Sequence, residues 1–125
     1  MPQQALQSRL VAVADARRYV RDRLDALLTP ERLSEVELLT SELFTNAVRH
    51  AGLKEGDPIG LEIDVDTDTV HVAVVDAGSG FDYSTLFEEP GDHRGGWGLF
   101  VIHKVSDRWG IDPSPPHSVW FEIDR

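Results

Sequence analysis

Glu42 and Asn46 stand four residues apart in a stretch of helical apolar spacing, which puts an acid and a carboxamide one turn from each other on the same helix face. Such a pair can do two jobs. The carboxylate can orient or deprotonate an attacking hydroxyl, and the neutral amide oxygen suits a hard cation that keeps water and phosphate oxygens as its remaining ligands. Two glycine segments follow: Asp76-Ala77-Gly78-Ser79-Gly80, then Gly96-Trp97-Gly98-Leu99 opening an apolar run. Glycine lets backbone come close to a ligand, and a helix that starts after such a loop offers free N–H groups to an anion. In this order the three segments describe a site for ATP. The Asp76 carboxylate would accept a hydrogen from the exocyclic amino group of adenine, whereas guanine would present a carbonyl oxygen there, so adenine is selected by donor and acceptor matching. Gly78 and Gly80 would keep the base edge uncrowded, and Gly96 and Gly98 would let the chain wrap the phosphates, with Trp97 between them placed to sense the nucleotide.

These residues need elements to position them. Val13, Ala16, Val20, Leu24 and Leu27 are spaced for an amphipathic helix reaching about Leu28, whose opposite face carries Arg17, Arg18, Arg21, Asp22 and Asp25. That mixed-charge face reads as solvated, with partner binding by the arginines as the sharper alternative. Thr29 before Pro30 is a helix-start signal and Gly52 a stop, so a second helix is expected from Pro30 to about Ala51, with Leu33, Val36, Leu39, Leu43 and Ala47 as its core stripe and Glu42 and Asn46 at the stripe's edge.

Ile59, Leu61, Ile63 and Val65 alternate with polar residues or glycine, turn at Asp66-Thr67-Asp68, and give way to Val70, Val72 and Val74, the pattern of an antiparallel hairpin that ends on Asp76. Residues 81–94 read as a loop, Leu99, Ile102 and Val105 as a third helix starting near Trp97, residues 108–112 as a strand, and Val119, Phe121 and Ile123 as a last one. The first ten residues are a loose end or a short edge strand. The expected fold is a two-layer α+β sandwich, a mixed and mostly antiparallel sheet with three helices on one face, forming one domain over residues 1–125.

Twelve Lys plus Arg against 22 Asp plus Glu give a net charge of −10, which argues against nucleic acid or an anionic membrane as a partner surface. A polyphosphate bound by so acidic a chain calls for a divalent cation, ordinarily Mg2+. Cysteine is absent, and neither a signal-like segment nor a membrane-spanning run is seen, so a soluble, cytoplasmic protein is expected.

The three segments resemble the motifs of the GHKL superfamily (gyrase, Hsp90, histidine kinase, MutL), whose ATP-binding domain has the Bergerat fold. Residues 37–51, Glu-Leu-Leu-Thr-Ser-Glu-Leu-Phe-Thr-Asn-Ala-Val-Arg-His-Ala, match its N box, residues 76–81 its first glycine box, and residues 96–99 its second. The resemblance implies Glu42 as the catalytic carboxylate, Asn46 as the Mg2+ ligand, and an ATP site of Asn46, Asp76, Gly78, Gly80, Gly96, Trp97, Gly98 and Leu99. Arg49 and Arg94 are candidate phosphate neighbours. The superfamily's third motif, a Gly with Thr before the last strand, appears here as Pro116-His117-Ser118, where Ser118 keeps a hydroxyl and the glycine is missing. The free-standing size and the wording around residues 46–51 are most similar to bacterial anti-sigma factor serine/threonine kinases. That similarity implies an anti-anti-sigma (STAS-type) protein and a sigma factor as partners, and leaves a homodimer open. The competing readings are a non-catalytic, ATP-gated binding module and a bare ATPase.

Overall fold

Periodicity becomes structure through a few local closures. In the computed structural model, which describes residues 3–7, 11–50, 58–76, 98–112 and 117–125, helix α1 spans Val11–Leu24. Ala16, Val20 and Leu24 are fully buried. The helix stops earlier than the apolar spacing predicts. A turn closed by Leu27 N–H to Leu24 O at 2.9 Å takes over, and Leu27 is left 42% exposed rather than joining the stripe. Helix α2 spans Pro30–His50. Thr29 caps it as the sequence predicts: its Oγ1 accepts from Arg32 N–H at 3.2 Å and its carbonyl from Leu33 N–H at 2.9 Å, with proline in the first turn, where no donor is required.

Strands β1 (Gln3–Gln7), β2 (Pro58–Val65), β3 (Thr69–Asp76), β4 (Arg108–Asp112) and β5 (His117–Asp124) form one sheet in the order β1-β2-β3-β5-β4. Every ladder among the described residues is antiparallel. The β2–β3 hairpin pairs Val65 with Val70, and Asp66 N–H donates to Thr69 O at 2.8 Å. The amino-terminal segment is the edge strand β1, set against β2.

Helix α3 (Gly98–Val105) packs on α2 and β4, α2 packs on β3 and β5, and α1 packs on α2 and β1. All three helices thus share one face of the sheet, the α+β sandwich expected. Between the layers lies one core: Val36, Leu39, Leu43, Phe44 and Ala47 from α2, Ile102 from α3, and the inward sets Ile59, Leu61, Ile63, then Val70, Val72, Val74, then Val119, Phe121, Ile123 from the sheet. The other sheet face is polar with one aromatic station, where Trp120 stacks on His71 with centroids 5.3 Å apart. A Cβ at Gly110 would come within 2.5 Å of Trp120 Cζ2, so glycine is what lets the indole lie over β4.

Candidate functional site

Helix α2 has three sides. One is the core stripe, one is exposed at Leu38 (44%), and between them lie Glu42 and Asn46. Glu42 is half-buried and borders an open cavity of about 360 Å³ between α1 and α2. Asn46 is only 6% exposed, and its Nδ2 has no hydrogen-bond partner among the described residues. A buried unmatched donor costs about 1–3 kcal/mol, so an amide kept in this state invites a ligand that supplies an acceptor; a phosphate oxygen is such a ligand. The Thr40 hydroxyl, fully buried in the same helix, is also unmatched among the described residues.

The cavity's α1 wall is Arg17 and Arg21; its α2 wall is Ser34, Glu37, Leu38, Ser41 and Glu42. Arg21 grips Glu37 in a forked contact, Nη2 to Oε1 at 2.9 Å and to Oε2 at 3.1 Å, and Arg17 approaches the same carboxylate at 4.0 Å. The Glu37 side chain is 7% exposed, while those of Arg17 and Arg21 are 54% and 60% exposed. The hydrogen bonds from Arg21, and then the carboxylate's charge, raise the pKa of the guanidinium above its ordinary value. Arg17 and Arg21 face two carboxylates in this lining, Glu37 and Glu42, so the cleft carries no net charge on an otherwise acidic chain. Both arginines stay more than half exposed, in keeping with the solvated face expected from periodicity; their contact with Glu37 was not legible, because periodicity shows which side of a helix is apolar and not what meets the polar side.

At the sheet, Asp76 ends β3 on the helix-facing register set of Val70, Val72 and Val74, opposite Ile59 on one side and His117 on the other. Ser118 falls on the other face: β5 buries His117, Val119, Phe121 and Ile123, and Ser118 pairs with Val75 among the partly exposed residues. In register, Ser118 pairs with Val75 and the residue paired with Asp76 is His117, 8% exposed. The period-two alternation of Val119, Phe121 and Ile123, extended two residues back, is the signal that points to it.

Arg49 lies in the last turn of α2, and Gly98 and Leu99 open α3. Gly78, Gly80, Arg94, Gly96 and Trp97 lie outside the described residues. No group of three or more His, Asp or Glu that could hold a metal occurs among the described residues. Among the described residues no helix is long and apolar enough to cross a membrane.

A two-layer sandwich with an acid–amide pair on its central helix and an aspartate at a sheet end defines a GHKL-type ATP-binding domain. Residues 6–119 match the family described as Histidine kinase-like ATPase domain, and the chain belongs to that family. Among curated proteins it is similar to the Serine-protein kinase RsbW of Staphylococcus aureus, at 28% identity over 70% of this chain and 62% of that protein. The Serine-protein kinase RsbW of Listeria innocua is 33% identical over 62% of this chain and 56% of its own length. The match thus spans less than two thirds of either relative. Among solved structures, the mycobacterial sensor histidine kinase MprB superposes with a TM-score of 0.57 at 15% identity, covering 98% of this chain and 97% of that one. The Acinetobacter baumannii histidine kinase AdeS gives 0.56 at 16% identity, over 99% of this chain and 68% of its own. These two likenesses establish the fold.

Proposed function

We propose that the chain is a Mg2+- and ATP-dependent serine/threonine protein kinase of the anti-sigma factor type, which phosphorylates a serine of a STAS-type anti-anti-sigma partner and sequesters a sigma factor. The observation that carries this reading is the α2 pair: a half-buried Glu42 at the rim of an open cleft, one turn from a buried Asn46 amide whose Nδ2 has no partner among the described residues. Asn46 would contribute its oxygen to Mg2+, and Asp76 would hold the adenine amino group. Glu42 would take the proton of the attacking serine hydroxyl as the new oxygen–phosphorus bond forms and ADP leaves.

The cleft between α1 and α2 supports approach of the acceptor from that side, because Glu42 borders the opening and Arg17 and Arg21 offer exposed hydrogen-bond donors beside it. The likeness to the two RsbW serine kinases favours serine as acceptor over histidine.

The test uses a partner captured with Mg2+ and ATP, and labelled phosphate. Glu42→Gln should bind ATP as the wild type does and transfer at least about a hundredfold more slowly. Transfer at the wild-type rate would overturn the assignment of Glu42. Absence of transfer from both proteins would leave an ATP-gated binding module in the kinase's place.

A further inference from the structure

Among the described residues Glu37 is the one buried carboxylate, with its side chain 7% exposed. An acid in that position loses its water and regains the loss only through close, well-aligned partners, so it is a costly way to join two helices where an aliphatic side chain would pack. The partners are not buried with it. Arg21 and Arg17 keep 60% and 54% of their side-chain surface in water, and both line the open cavity that Glu42 borders. The ion pair is thus lopsided, with its acid buried on α2 and its guanidiniums exposed at the opening.

The hydrogen bonds define how Arg21 is held. Nη2 donates to Oε1 at 2.9 Å and to Oε2 at 3.1 Å, and Nε donates to Oε2 at 3.3 Å. Contacts along the Nε–Nη2 edge fix the plane of the guanidinium and leave the two N–H groups of Nη1 outside the fork. Five donors in one rigid plane let an arginine be gripped on one edge and donate from another, which a lysine ammonium cannot do in the same geometry. A donor fixed in advance spares a ligand the entropy of ordering a long side chain. Ser41 and Glu42 follow Glu37 on the same wall of the cavity, so a chain that enters to reach Glu42 meets Arg21 across from it.

We infer that Glu37 is a positioning residue for the acceptor protein: it holds the Arg21 guanidinium so that Nη1 donates to an oxygen of the segment that carries the acceptor serine. The inference rests on the kinase reading above and adds to it the residue that prepares the acceptor side of the cleft. Glu37 acts through Arg21 rather than by touching the acceptor. Its loss therefore raises the KM for the acceptor protein and leaves ATP affinity and the rate from the saturated complex as they are.

The experiment measures transfer of labelled phosphate to the acceptor protein captured with Mg2+ and ATP, at saturating ATP and well below the unfolding midpoint of each variant. Glu37→Gln, which keeps the size but offers a single uncharged acceptor oxygen, should raise KM about tenfold with kcat within about twofold of the wild type. Arg21→Ala should do the same, and so should Arg21→Lys, which keeps the charge without the planar fork. Combining Arg21→Ala with Glu37→Gln should give the KM of Arg21→Ala alone, since nothing is left to position. Stability separates this role from packing: the double variant should recover part of the thermal midpoint lost in Arg21→Ala and none of the KM. A wild-type KM in Glu37→Gln, a loss that falls on kcat or on ATP binding, losses that multiply in the double variant, or a KM that follows the midpoint overturns the inference and leaves the kinase reading standing. No transfer from the wild type overturns both.

Discussion

The Asn46 amide, 6% exposed with its Nδ2 unmatched among the described residues, costs the free protein stability that an alanine would not, and asparagine is also the poorer helix former by a few tenths of a kcal/mol. A residue kept for a ligand should therefore behave oppositely in the two assays. Asn46→Ala should unfold thermally at or above the wild-type midpoint while ATP affinity falls at least about tenfold. A lower midpoint with ATP binding intact would assign the residue to packing instead. Gly110 is bound by shape alone: with Trp120 Cζ2 2.5 Å from the place of a Cβ, Gly110→Ala must displace the indole and disturb its stack on His71. Its unfolding midpoint should fall by several degrees, with a changed tryptophan emission. At this scale the sequence was legible where spacing decides, as for Glu42 beside Asn46. It was legible also for the burial of His117, which follows when the alternation of Val119, Phe121 and Ile123 is carried two residues back. The unmatched Asn46 donor was not legible, because burial of an amide depends on what the whole fold places around it.

Between elements, the α1–α2 contact joins apolar packing to one fork, Arg21 on the almost fully buried Glu37. Removing the arginine leaves a desolvated carboxylate without its strongest partner, an arrangement more costly than having neither charge. Arg21→Ala should lower the thermal midpoint by several degrees, and adding Glu37→Gln should recover part of the loss; equal midpoints for the wild type and the single variant would show the fork to be inert. Arg17, the more distant of the two guanidiniums, bears on the partner instead. Arg17→Glu should reduce phosphate transfer to the acceptor protein without weakening ATP, and a loss confined to ATP binding would place the arginine in the wrong site. Both helices were readable from their apolar spacing and from Thr29-Pro30. Their mutual contact was not, because Arg21 and Glu37 lie 16 residues apart on faces that periodicity marks only as polar.

For the whole molecule, the sheet's outer face adds an acid-sensitive tie across β3, β5 and β4. Glu122 accepts from Arg108 Nε at 2.7 Å and sits 3.0 Å from His71 Nδ1, and Arg108 also bonds Asp124. The Arg108 hydrogen bond first, and then His71, hold the Glu122 carboxyl below its ordinary value against the opposing effect of burial. A carboxyl depressed in the folded state contributes stability that is complete above its unfolded pKa and disappears as pH falls through the lowered one. Urea midpoints should therefore drop as pH is lowered through the acid range, and the drop should be shallower in Arg108→Ala, which has less to lose; parallel profiles would remove Glu122 from the explanation. The antiparallel hairpin, the third helix and the α+β class were all readable from alternation and helical spacing. The strand order, with β5 inserted between β3 and β4, was not, since alternation names a strand's faces and not its neighbours.

The expectations for Glu42, Asn46 and Arg17 presuppose one binding event beside α2. Calorimetric titration of the wild-type chain with ATP, with and without Mg2+, measures it most directly. One nucleotide per chain should bind with Mg2+ present, weaken on chelation, and weaken strongly in Asn46→Ala. A chain that takes up no ATP under these conditions, or binds it equally well without the Asn46 amide, would contradict the account.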